Sequence, residues 1–205
     1  MSAAVRGVVL LHGRGGSGHI MGHLVPILGL EGVAVAAPEA AVEKSWWPTS
    51  FLAPSVDMEP WVARGLDAVD GALDDLGLPR GAVALVGFSQ GACLASEWAA
   101  RRGAGIGAVV GFAGGLVGTS DAGPPSEALR GHADKAFDYA TDLAGTRVVL
   151  TCHERDPHIP MKRVRDSAAV LRGLGAAVAL VEHPGGGHQP MPDGIAAARR
   201  AVGMG

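Results

Sequence analysis

The sequence predicts an α/β architecture, a doubly wound and mainly parallel sheet with helices on both faces. Two observations carry that expectation. Six apolar runs of strand length, at 5–11, 33–37, 82–87, 106–112, 147–152 and 176–182, are almost continuously apolar, as strands covered on both faces of a parallel sheet are. Helical patterns lie between them, and strands alternating with helices imply right-handed crossovers.

The first clear helix carries Trp61, Val62, Leu66, Val69, Leu73 and Leu76 at three- and four-residue steps, leaving Arg64, Asp67, Asp70 and Asp74 outside the stripe. Asp57 and Pro60 suit its start, and Gly77 its end. Leu94 and Trp98 mark a second helix after the third run. Pro160 opens another, with Val164, Ala168, Leu171 and Leu174 on one face and Gly175 as its stop. A last helix is expected with Asp193 as cap and Ile195, Ala198 and Val202 inward. The stretch 114–145 is longer than an ordinary crossover and starts rich in Gly and Pro. Either a helix over 126–143 with Phe137 and Leu143 inward fills it, or it forms a small cap over a site, since long insertions are often functional.

No repeat or linker divides the chain, so one domain over 1–205 is expected, with minimal or no lid. Of 205 residues 48% are apolar and 18% charged, a balance that favours a packed core over disorder. A net charge of -3 and the lack of any Lys/Arg block argue against nucleic acid as a partner. The apolar run ending at Leu11 is too short for a membrane span and lacks the layout of a signal peptide, so a cytoplasmic protein without stable membrane insertion is expected. Cys93 and Cys152 both fall inside buried elements and read as reduced structural thiols.

The sharpest local signal is Gly87-Phe88-Ser89-Gln90-Gly91, directly after an apolar strand and before a helix. This is the nucleophile elbow of α/β-hydrolases in its strand-turn-helix setting, where small neighbours two positions either side relieve crowding around a strained serine. A serine needs a base, and the base an acid to orient it. In this fold the chain order is serine, acid, histidine. Asp156 follows the fifth run and is stiffened by Pro157; His188 follows the glycine loop after the sixth. Glu154 is a rival acid, and His153, His158 and His183 are rival bases. His183 ends the last strand and His153 follows the previous one too closely. His158, two residues from Asp156, would leave the glycine loop with no role. The order favours Asp156 and His188.

The first strand runs into Leu11-His12-Gly13-Arg14-Gly15-Gly16-Ser17-Gly18. A phosphate cradle is one reading, but no Gly-Lys-Ser/Thr closes the loop. The hydrolase reading has the backbone N–H groups of Arg14 and Gln90 converge as an oxyanion hole, with His12 bracing the loop. The run from Cys152 to His158 invites a metal, yet no second cluster complements it, so none is expected. Trp46 and Trp47, with Pro48 and Phe51, are the densest aromatic group and are candidates to line a substrate pocket, or else to pack the fold.

Together these motifs resemble the phospholipase/carboxylesterase family, which includes acyl-protein thioesterases and small bacterial carboxylesterases. The likeness runs through 11–18, Trp47-Pro48-Thr49-Ser50-Phe51, 87–92, Asp156-Pro157-His158-Ile159-Pro160 and Gly187-His188. It implies Ser89 as nucleophile, Asp156 as orienting acid, His188 as base and acid, and Arg14 and Gln90 as N–H donors. The family's His-Gly-Asp before the acid reads His153-Glu154-Arg155-Asp156 here, which questions whether the pocket takes the same substrates. Dienelactone hydrolases share the fold but use a cysteine nucleophile, so Ser89 makes them a weaker match. The expected activity is hydrolysis of small-molecule esters or thioesters of small acyl groups, with no cofactor. An acyltransferase on the same triad and a non-catalytic binding protein are the alternatives. Oligomeric state is not assigned.

Overall fold

The structure, a computed structural model, describes residues 4–204; the ends of the expected unit, 1–3 and 205, lie outside the described residues. Six strands form the main sheet: β1 Gly7–Leu11, β2 Ala34–Ala36, β3 Val83–Phe88, β4 Ala108–Phe112, β7 Arg147–Arg155 and β8 Ala177–Gly186. All pair in parallel, in the order β2-β1-β3-β4-β7-β8. The helices are α1 Gly18–Met21, α2 Leu24–Leu28, α3 Ser55–Leu76, α4 Gln90–Arg102, α5 Met161–Gly173 and α6 Pro192–Ala201.

The strand runs look continuously apolar because alternate residues enter two different cores. Val9 and Leu11 of β1, with Val83 and Leu85 of β3, face the core shared with α3, α4 and α5. Val8 and Leu10, with Ala84 and Val86, face the core that takes in Leu28, Ala198 and Val202. β2 is only three residues long and leaves Val35 exposed at the sheet edge, where a short strand limits edge-to-edge pairing. Among the described residues no helix is long and apolar enough to cross a membrane.

Three expectations about element ends are corrected. Helix α3 begins at Ser55, before the expected start, and holds Pro60 inside it. Its first turn is anchored from outside, by Ser55 N–H donating to the carbonyl of Thr119 (2.9 Å). The cap of α6 is Met191, not Asp193, because Pro192 takes the first helical position, where its missing N–H costs nothing. Strands β7 and β8 run on through His153, Glu154 and Arg155 and through Pro184 and Gly186, polar or turn-like residues that read as loop, held by ladder pairing as far as Arg155 with Gly186.

The helix expected over 126–143 is absent. Strand β5 Ser120–Ser126 pairs antiparallel with β6 His132–Ala133, a 3-10 turn spans Glu127–Leu129, and 134–143 is irregular. Along that last stretch Lys135, Phe137 and Tyr139 are half-buried while Asp134, Ala136, Asp138 and Ala140 are exposed, a period of two that an extended chain gives and a helix does not. Leu143 is buried as expected. The inward Tyr139 meets Glu97, which lies in α4 with no exposed surface, and Lys135 reaches the Tyr139 hydroxyl (3.0 Å). Tyr139 Oη donates to Glu97 Oε1 (2.9 Å), Arg101 Nε donates to the same oxygen (2.7 Å), and Val117 N–H donates to Oε2 (3.0 Å). Burial and the Glu97 carboxyl push the Tyr139 phenol up, so it stays protonated and donates.

That network predicts the effect of Tyr139→Phe. A donor lost from a buried carboxylate is worth about 1.5–3 kcal/mol, so the urea midpoint should drop with the slope unchanged; an unchanged midpoint would show that the segment is held by other contacts.

Candidate active site

The carboxyl ends of β1, β3, β7 and β8 converge, and each delivers part of the site. Strand β3 ends in the turn to α4, and Ser89 at its apex has φ 53° and ψ -116°, an unfavourable conformation for a residue with a Cβ. Its N–H donates to the carbonyl of Phe112 on β4 (2.8 Å), and its carbonyl accepts from Cys93 N–H (3.0 Å), so the turn is tied to sheet and helix at once. The flanking glycines are required by contact: a Cβ on Gly87 would lie 2.3 Å from the Gly91 carbonyl oxygen, and one on Gly91 would lie 2.0 Å from that of Leu11.

Strand β8 hands over to the loop that carries His188. The imidazole Nε2 lies 2.8 Å from Ser89 Oγ, and Nδ1 lies 2.7 Å from Asp156 Oδ2. A carboxylate only accepts, so Nδ1 holds the proton and donates it to Asp156, and in the neutral ring Nε2 is left to accept from the Ser89 hydroxyl. Phe88 and His158 flank the ring, with centroids 5.2 and 4.7 Å from it. Strand β7 leads to Asp156, which is buried. Its Oδ1 accepts the N–H groups of His158 (2.7 Å) and Ile159 (2.9 Å). Arg130 clasps this loop from outside, donating to the carbonyls of Pro157 (2.6 Å) and Asp156 (2.8 Å). Burial opposes ionisation of Asp156, yet the hydrogen bonds from His188 and from the Ile159 and His158 N–H groups outweigh it and hold the carboxyl below the usual carboxylate range.

Of the rivals, His158 lies beside the His188 ring and makes no hydrogen bond to Ser89, and the others lie elsewhere. Glu154 is exposed on the far end of β7, and Asp156, not Glu154, is bonded to His188. His153 and His183 are buried against each other, ring centroids 5.2 Å apart. Among the described residues no cluster of three or more His, Cys, Asp or Glu side chains could hold a metal ion.

A cavity of about 460 Å³ opens over Ser89 and His188. Trp47 and Phe51 line it, together with Phe88, Ile159 and Cys93. Trp46 does not, which corrects its expected place in the pocket: its indole N–H donates to the carbonyl of His12 (2.9 Å) and its ring stacks on that imidazole, turning it toward the loop after β1. His12 itself is buried, with Nδ1 2.7 Å from the Gly13 carbonyl and Nε2 accepting from Ala40 N–H (3.1 Å). The Gln90 side chain is a strut: Oε1 accepts from Trp46 N–H (2.9 Å) and Nε2 donates to the Trp47 carbonyl (2.8 Å). Burial pushes the Cys93 thiol up to about 12, so at neutral pH it packs as a protonated thiol. Of residues 114–145 only Arg130 lines this cavity, so the β5–β6 hairpin does not cap it. Arg130 and Ile159 are pocket residues that the sequence did not single out, and His158, expected only as a rival base, lines the pocket too; His158 and Ile159 stood inside the Asp156-Pro157-His158-Ile159-Pro160 motif, and Arg130 had no signal.

A parallel sheet flanked by helices, with a strained serine at a strand-to-helix turn, makes the chain an α/β-hydrolase. It belongs to the dienelactone hydrolase family, whose family model matches residues 56–194. Ser89 had argued for that family as a weaker match; the family model nonetheless covers the stretch from α3 into α6. The resemblance to phospholipase/carboxylesterases holds as well. The structure of a phospholipase/carboxylesterase from Dyadobacter fermentans is 32% identical, with a TM-score of 0.83 over 98% of this chain and 91% of that one. The esterase PE8 is 25% identical, with a TM-score of 0.71 over 97% of this chain and 92% of its own. The carboxylesterase of Bacillus cereus, at 17% identity and a TM-score of 0.73 over 97% and 88%, shares the fold. No curated protein matches the chain. The chain is therefore a hydrolase, of a group whose members include esterases.

The lowered pKa of Asp156 has a sign. A carboxyl held lower in the folded than in the unfolded state adds stability at every pH above the ordinary carboxylate range, and loses it as pH falls through the folded value. Asp156→Asn should therefore be less stable than the parent at neutral pH, with the gap closing as acid protonates Asp156. Denaturant titrations across pH measure this; a gap that does not change with pH would contradict it.

Proposed function

We propose that the chain is a serine hydrolase that cleaves carboxylic esters of small acyl groups through an acyl-enzyme. The observation that carries this reading is the unbroken hydrogen-bonded line from Ser89 through His188 to Asp156. His188 Nε2 takes the hydroxyl proton as Ser89 Oγ attacks the ester carbonyl. Asp156 keeps Nδ1 protonated and stabilises the imidazolium that forms. The tetrahedral intermediate collapses, His188 gives its proton to the departing alkoxide, and the acyl group stays on Ser89. Water then attacks the acyl-enzyme with His188 again as base, releasing the acid and restoring the hydroxyl. The same sequence of steps serves thioesters, with a thiol as leaving group.

The oxyanion is assigned to the backbone N–H groups of Arg14 and Gln90. Gln90 is the first residue of α4, where helix N–H groups have no intrahelical partner. Gly13, beside Arg14, is packed so close to Ser89 that a Cβ there would come within 3.2 Å of the serine Cβ. The His12 bonds and the Trp46 indole support a fixed path for that loop. Each such donor contributes about 3 kcal/mol to transition-state stabilisation. A cavity of about 460 Å³ with aromatic walls supports small acyl groups over bulk lipid.

Ser89→Ala should keep the fold by circular dichroism and lower kcat on nitrophenyl butyrate by at least about 10³-fold; a variant with full activity would refute the mechanism. On the parent, short-chain nitrophenyl esters should outpace long-chain micellar ones, and the reverse order would overturn the assignment of acyl size.

A further inference from the structure

The His188 ring packs against two rings of different kinds. Phe88 lies with its centroid 5.2 Å away and its plane tilted by 50°; His158 lies 4.7 Å away at 71°, edge to face. The first can never change its charge, and the second can. The place of His158 is set by the main chain: its N–H donates to Asp156 Oδ1 (2.7 Å), while Oδ2 of the same carboxylate accepts from His188 Nδ1 (2.7 Å). One carboxylate therefore places both imidazoles. Pro157 stiffens the backbone before His158, and Arg130 clasps the loop at the Pro157 and Asp156 carbonyls.

Its ring, by contrast, is not tied down by polar bonds. Among the described residues neither ring nitrogen of His158 has a hydrogen-bond partner, and the side chain is exposed on the wall of the cavity over Ser89. It exchanges protons with water, and imidazoles do so between about pH 5 and 8. The charged groups that face it are few. Asp156, on its own loop, favours a proton on either ring; Arg130 and Arg14, which line the same cavity, oppose one. Cys93, also on that wall, is a protonated thiol and adds no charge. The reaction itself places a positive charge on His188 each time Ser89 gives up its proton. Two like charges on rings this close repel strongly in a half-enclosed site.

Building on the serine esterase reading, we infer that His158 is a positioning residue for the base: neutral, it keeps the His188 ring in line between Asp156 and Ser89, and protonated, it opposes the charge that His188 must take on. The esterase then has a second limit on its acid side, set by a proton that never reaches the substrate. Interacting imidazoles titrate as a pair, in two steps that belong to both. A ring at residue 158 that cannot be protonated keeps the packing and loses the limit.

The experiment follows kcat/KM for nitrophenyl butyrate between about pH 5 and 8, with the ring proton resonances of His188 recorded over the same range. The acid limb of kcat/KM reports groups that ionise in the free enzyme. In the parent it should depart from a one-proton curve, falling by more than about tenfold per pH unit or in two steps, and the His188 resonances should move in two steps. In His158→Phe both should reduce to a single step. At pH 8 His158→Ala should lower kcat about tenfold and His158→Phe about twofold, since only the first removes the ring that limits rotation of His188. A one-proton limb in the parent, a limb whose shape His158→Phe leaves unchanged, or equal losses in the two variants would overturn the inference while leaving the esterase reading intact. Turnover that survives Ser89→Ala would instead remove that reading, and this inference with it.

Discussion

The site depends on how closely the start of α4 lies against the end of β1. Gly91 has no side chain because the Leu11 carbonyl occupies the place where one would go, and Gly87 is bare because Gly91 lies against it. This crowding leaves the backbone one way through, with Ser89 at positive φ between β3 and the helix. The strain costs about 1–3 kcal/mol, and the bonds to Phe112 and Cys93 hold it in place. A hydroxyl set on such a turn has little freedom, which is why histidine and acid can be brought to it from distant parts of the chain.

Delivery of those partners falls to one pair of strands. Strands β7 and β8 stay paired past the end of their apolar runs, as far as Arg155 and Gly186. Asp156 is the next residue after β7, and His188 follows β8 by two. A continuous ladder therefore sets the distance between the Asp156 carboxylate and the His188 ring, and only a short stretch of loop adjusts it. The carboxyl is then fixed by two N–H groups of its own loop, and Arg130 holds that loop from outside through the main-chain carbonyl of Asp156.

Much of this was readable in the sequence, for identifiable reasons. The strands stood out because both faces of the sheet are covered, and the elbow because its glycines answer a local steric demand. The line Asp156–His188–Ser89 followed from the chain order of the fold. What escaped notice was set by tertiary contacts. The segment around Lys135, Phe137 and Tyr139 faces inward at a period of two, but a lysine and a tyrosine do not look like a buried strand; distant partners, the hidden Glu97 in α4, the Val117 carbonyl and Arg163, make that arrangement favourable. Adjacent tryptophans could not be told apart because neighbouring residues point different ways, Trp47 into the cavity and Trp46 onto His12. Arg130 sits far from the motifs, on a hairpin that composition alone could not shape.

The central claim is that an acyl group is carried on one serine. Rapid quench of the enzyme with a slowly released nitrophenyl ester, followed by peptide mapping in a mass spectrometer, tests it directly. The account predicts one acyl adduct, on the peptide containing Ser89 and at that residue, formed in step with nitrophenol release. An adduct confined to another residue, or nitrophenol released in full with no adduct at any time, would contradict it.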